Sequence, residues 1–83
     1  MAGFSKDDTY AKVVAVIKEE LPVDPAAIKP MATFADLGAD SLDMMKLTIK
    51  FEETFGLEIN DDDAAKMLVL DEVVNYINER RTK

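Results

Sequence analysis

One serine, Ser41, stands between two aspartates in the stretch LGADSLDMM at residues 37–45, with Gly38 three positions upstream. The chain contains no histidine and no cysteine. A nucleophilic serine needs a neighbouring base, usually histidine or lysine, and donors for a developing oxyanion. Asp40 and Asp43 are poor bases near neutral pH and would repel that oxyanion. Ser41 therefore reads as a point of attachment, and no catalytic residue is assigned.

Other side chains that could do chemistry read as structural. Asp61, Asp62 and Asp63 invite a calcium-loop reading. A loop beginning at Asp61 would place Ala65 where an oxygen ligand is required and Lys66 where glycine is required. Acids in the first turn of a helix are explained by its dipole alone. The commonest zinc ligands are missing, and no metal site is expected. Glu52 and Glu53 are adjacent and diverge on a helix, which suits a solvated rim better than paired acid–base work. Tyr10 and Tyr76 read as amphipathic packing residues.

The elements that position Ser41 follow from periodicity. Residues 5–21 read as a helix, because Tyr10, Val13, Val14, Ile17 and Leu21 recur at helical spacing, with Ser5 and Asp8 as a capping pair and Pro22 as the stop. Residues 22–39 hold three prolines and Gly38 without a sustained period, so a long loop is expected, pinned to the core by Phe34 and Leu37. A second helix should start at Ser41, with Asp40 as N-cap, Asp43 reaching back and Gly56 as the stop. LEIN reads as an extended link. A short helix from Asp61 or Asp62 to Met67 and a last helix from Asp71 to Arg80 complete the chain, with Arg80, Arg81 and Lys83 at the negative end of the last dipole. The sum is an all-α fold, a small antiparallel four-helix bundle of three main helices and one short one, with a long first loop. Residues 1–83 are expected to form a single domain.

The second helix carries two apolar faces. With Leu42 set at about 0°, Met44, Leu47, Phe51 and Phe55 gather near roughly 185°, whereas Leu42, Met45 and Ile49 gather near roughly 330°. One face suits the core. The other, flanked by acids, suits a partner surface.

Bulk composition narrows the rest. At 9.2 kDa about 63% of the unfolded chain's surface should be buried, which supports one thin core and no deep catalytic cleft. Residues 31–63 carry nine acids and two bases, while the remainder balances to zero, so the whole net charge of −7 sits in one segment. That field argues against nucleic acid and favours partners with basic patches. A cysteine-free chain of this size, with no apolar run of ~20 residues and no leader-like start, is expected in a reducing interior, the cytoplasm or an organelle after transit-peptide removal, as a monomer without membrane insertion.

LGADSL, followed by an amphipathic helix ending FEETFGLEI and then DDDAAK, resembles the acyl carrier proteins over nearly the whole chain. The resemblance implies that Ser41 is esterified by 4′-phosphopantetheine, with Asp40 and Leu42 as neighbours read by a phosphopantetheinyl transferase. It implies a carrier that catalyses nothing itself. Acyl groups would ride as thioesters to acyl transferases, ketoacyl synthases and related enzymes of fatty-acid or polyketide synthesis. Leu42, Met45 and Ile49 would dock on these partners, with Asp43, Lys46, Glu52 and Glu53 around them. Met44, Leu47, Phe51, Ala64, Met67 and Leu70 would line a shelter for the acyl chain.

Departures from the family pattern bear on pathway. Lys46 stands where fatty-acid carriers commonly show glutamate, Lys50 adds a second base, and Ala65 replaces a common acid on the short helix. A specialised carrier for another pathway is the alternative, as is a structural acidic helical adaptor that is never modified. Met44 and Phe51 are bulkier than the threonine and leucine of many fatty-acid carriers, so medium and long acyl chains are expected to be poorly sheltered unless the helices part.

Overall fold

The computed structural model describes residues 4–83; residues 1–3, where the stretch read for a leader begins, lie outside the described residues. The elements run α1 (Lys6–Glu20), a single 3₁₀ turn (Pro25–Ala27), α2 (Ser41–Phe55), α3 (Asp61–Lys66) and α4 (Leu70–Arg80). The fold is all-α with four helices, and no strand occurs among the described residues beyond one isolated bridge.

Local chemistry sets the boundaries. Ser5 Oγ accepts from the Asp8 amide at 3.1 Å, so Ser5 is the cap of α1 rather than its first residue, and Leu21 is its C-cap. α3 is capped by Asn60, whose Oδ1 accepts from the Asp63 amide at 2.8 Å, and Met67 lies just past its end. α4 begins at Leu70, one residue earlier than expected, because the Val69 amide finds Glu72 Oε1 at 3.2 Å.

α1 packs against both α4 and α2. The core draws Val13, Val16 and Ile17 from α1, Leu47, Phe51 and Phe55 from α2, and Leu70, Val73, Val74 and Ile77 from α4, all buried. Losing one such side chain to alanine in a close-packed core costs about 2–5 kcal/mol.

The loop between α1 and α2 is more ordered than its composition suggests. Asp24 Oδ1 caps the 3₁₀ turn. Phe34 and Leu37 are buried as expected. Residues 30–34 then lie alongside the α3–α4 junction: Phe34 N donates to Leu68 O at 3.1 Å, Leu70 N to Ala32 O at 2.9 Å, and Asp71 N to Pro30 O at 2.8 Å. Non-local pairing of this kind leaves no period in the sequence.

Arg81 lies at the C-terminal end of α4, as expected, but turns its side chain inward. Its side chain is buried, donating from Nη1 to Asp8 Oδ2 at 3.0 Å and to Thr9 Oγ1 at 2.9 Å. Thr82 Oγ1 donates to Gly56 O at 2.6 Å, and the Thr82 and Lys83 amides both reach Phe55 O. The chain end thus clasps the end of α2. Arg80 instead covers the Tyr76 ring, 3.9 Å from its centroid.

Candidate functional site

A tight turn delivers the chain to Ser41. Leu37 buries its side chain, the Gly38 amide donates to Ala35 O at 3.0 Å, and Ala39 N returns to Phe34 O at 3.0 Å. Gly38 has φ +82°, a conformation that costs other residues about 1–2 kcal/mol. Asp40 follows in extended backbone and begins α2.

Asp40 and Asp43 form a reciprocal cap. Asp43 N donates to Asp40 Oδ1 at 2.8 Å, and Asp40 N donates to Asp43 Oδ2 at 3.1 Å. The first four amides of a helix lack partners in the preceding turn. Here the box takes those of Asp40 and Asp43, and among the described residues those of Ser41 and Leu42 have no acceptor. Ser41 is exposed as the first residue of α2, so its hydroxyl sits beside two free N–H groups and the positive end of the dipole. That arrangement suits an anionic group such as a phosphodiester.

Ser41 also opens onto a groove of about 1020 Å³. α2 contributes Ser41, Met44, Met45, Thr48, Ile49 and Glu52, a stripe at i, i+3, i+4, i+7, i+8 and i+11. On the wheel used above this stripe centres near about 270°, between the core face and the exposed face. The opposite wall comes from Ala64 and Ala65 on α3, Met67 and Leu68 after it, Ile59 before it, and Phe34 from the loop.

Of the residues expected to line an acyl shelter, Met44, Ala64 and Met67 border the groove. Leu47, Phe51 and Leu70 do not; they point into the closed core, at 0%, 3% and 0% exposure. The bulk of Phe51 therefore fills the core and takes no groove volume. Thr48, Ile59 and Leu68 line the groove without having been expected there. Thr48 was legible in principle, one turn beyond Met44 and two beyond Ser41, whereas Ile59 and Leu68 come from links with no periodic signal.

Leu42, Met45 and Ile49 remain 57%, 61% and 51% exposed, an apolar stripe of which Met45 and Ile49 form the rim of the groove and Leu42 lies outside it. Lys46 and Glu53 are exposed next to it. Asp43 and Glu52 are committed to the protein's own backbone: Asp43 to the cap, and Glu52 Oε2 to the Ile59 amide at 2.8 Å. Tyr76, expected only to pack, also donates its hydroxyl to Asp63 Oδ2 at 2.7 Å. Burial first, and then that carboxylate, raise the Tyr76 pKa above its ordinary value.

A family model described as the phosphopantetheine attachment site matches residues 11–77. An acyl carrier protein of Thermosynechococcus vestitus is 40% identical over 77 residues, covering 92% of this chain and 95% of that protein. Acyl carrier proteins of Nitratidesulfovibrio vulgaris strains DP4 and Miyazaki F are each 44% identical over 71 residues, covering 84% of this chain and 93% of those proteins.

Proposed function

Because the chain belongs to the acyl carrier protein family, whose attachment group is phosphopantetheine, we propose that Ser41 is the residue that takes the arm. The observation that carries this reading is the exposed hydroxyl at the first position of α2, beside two unpartnered amides and at the mouth of a groove. When bound, 4′-phosphopantetheine supplies a terminal thiol on which acyl groups ride as thioesters. The Ser41 and Leu42 amides would hold its phosphodiester, and Asp40 holds the helix start that the transferase reads, with Leu42 beside it. The chain itself moves no proton and makes no bond in the acyl chemistry.

The groove formed by Met44, Thr48, Ala64 and Met67 shelters the acyl chain. Leu42, Met45 and Ile49 dock on acyl transferases, ketoacyl synthases and related enzymes of fatty-acid or polyketide synthesis. The acids of residues 31–63 steer that encounter toward basic patches. Residues 1–83 work as one monomeric carrier domain in the cytoplasm, without nucleic acid and without membrane insertion; no helix among the described residues is long and apolar enough to cross a bilayer. Lys46 and Lys50 on the docking helix favour a specialised partner set over the ordinary fatty-acid enzymes.

Incubation with a phosphopantetheinyl transferase and coenzyme A, read by mass spectrometry, tests the assignment. The expected result is one added arm on the wild type and none on a folded Ser41→Ala variant. An arm that persists in the variant overturns Ser41, and no arm on either protein favours the unmodified adaptor.

A further inference from the structure

The groove has a far end. It runs along α2 from Ser41 to Glu52, eleven residues and about 16 Å at 1.5 Å per residue. Beyond Glu52 lies a second, shallower hollow of about 630 Å³, bordered by Glu52, Gly56, Leu57, Glu58, Arg80 and Thr82. Among the described residues Glu52 alone borders both hollows. Its carboxylate is held by the hydrogen bond from Ile59 N, and Ile59 is itself a wall residue of the groove. That bond ties the α2 wall to the segment entering α3.

We propose that the Glu52 side chain is the partition that ends the groove and so sets the longest acyl chain this carrier can shelter. The inference rests on the reading of the groove as the acyl shelter. Up to Glu52 the wall is largely apolar, and each added methylene leaves water. At Glu52 the next methylene meets a carboxylate whose displacement would break its bond and leave the amide of buried Ile59 unpaired. Stabilisation by cargo should therefore rise with chain length and then stop abruptly. The partition is removable, because the second hollow lies directly behind it.

The experiment loads wild type, Glu52→Ala, Glu52→Gln and Thr48→Leu at Ser41 with a series of hydrolysis-resistant acyl-pantetheine amides and reads melting temperature against chain length. The quantity of interest is the length at which the rise stops, which a purely structural role for Glu52 would leave in place even if every melting temperature fell. Glu52→Ala should move the break to longer chains. Glu52→Gln keeps the length and the acceptor and should hold the break where it is. Thr48→Leu, one turn nearer Ser41, should bring the break to shorter chains, and this variant decides the matter if Glu52→Ala does not fold. A break that stays put in folded Glu52→Ala, or in Thr48→Leu where Glu52→Ala does not fold, overturns the partition while leaving the shelter standing. A melting temperature independent of chain length in all four proteins overturns the shelter reading and the partition with it.

Discussion

Replacing Asp40 separates two jobs that fall on one carboxylate. Its Oδ1 accepts from the Asp43 amide at 2.8 Å and so caps the helix that begins with Ser41. The proposed function also makes it a feature the modifying transferase reads. Asp40→Ala removes the cap but leaves the Asp40 amide bonded to Asp43 Oδ2, so one hydrogen bond is lost and not two. N-cap losses of this kind cost ~1 kcal/mol, within a range of about 0.5–2. For a domain of this size ~1 kcal/mol corresponds to about 4–8 °C in melting temperature. Asn caps about as well as Asp, so Asp40→Asn should melt within about 2 °C of wild type by circular dichroism, on the same scaling. Modification rates under one transferase concentration then divide the roles. Asp40→Ala should be slow for both reasons, and Asp40→Asn should be slow only to the extent that the negative charge is read. An Asn variant that melts with the Ala variant would refute the capping argument. An Asn variant modified at the wild-type rate would refute recognition of the charge.

Gly56 ends α2 at φ +64°, and a Cβ there would sit 2.5 Å from Thr82 Oγ1. Gly56→Ala should cost at least the ~1–2 kcal/mol of a left-handed residue and should loosen the chain-end clasp, read as a lower melting temperature. Asp8 is held below its ordinary value of 3.8, chiefly by the hydrogen bond from Arg81. Its contribution to stability is thus complete above that value and is lost as pH falls through the lower folded value; acid titration of Asp8→Asn should show a flatter acid limb than wild type. Lys46→Glu should speed acyl transfer with a ketoacyl synthase of ordinary fatty-acid synthesis several-fold at low salt, with the gain fading at high salt; equal rates at all salts would leave Lys46 a bystander.

The three long helices were legible because each buries a stripe, and a stripe leaves a 3.6-residue period in the sequence. Val13 and Ile17, Leu47 and Phe51, and Val73 and Ile77 are such pairs, and all are buried. Ser41 was legible because its neighbours cap a helix with side chains of recognisable type. The groove was only half legible. Its α2 wall lies between the two apolar faces: sorting residues into core and surface put Leu47 and Phe51 correctly in the core but left no category for Thr48, and only the resemblance moved Leu47 and Phe51 into the shelter. The partners of Arg81 and Glu52 were not legible for one reason: each lies at a position the local pattern does not encode, Asp8 and Thr9 at the other end of the chain, and the Ile59 amide across a turn. A charged residue near a helix end looks the same in sequence whether it faces water or locks a tail.

None of the residues of α3 is buried. Among the described residues its side-chain hydrogen bond to another helix is a strut from Asp63 to the Tyr76 hydroxyl on α4; Ala64 packs partly against the core, and Met67 follows as an anchor just past its end. The other three helices share one core. Elements with few buried apolar contacts open at free energies well below that of global unfolding. The molecule therefore separates into a frame that must stay folded and a door that need not. The helix bearing Ser41 belongs to the frame, clasped at its far end by Thr82 and Lys83. On the proposed function, cargo would enter and leave past α3 while Ser41 keeps its geometry, so a partner that pried the door open would not loosen the surface it gripped.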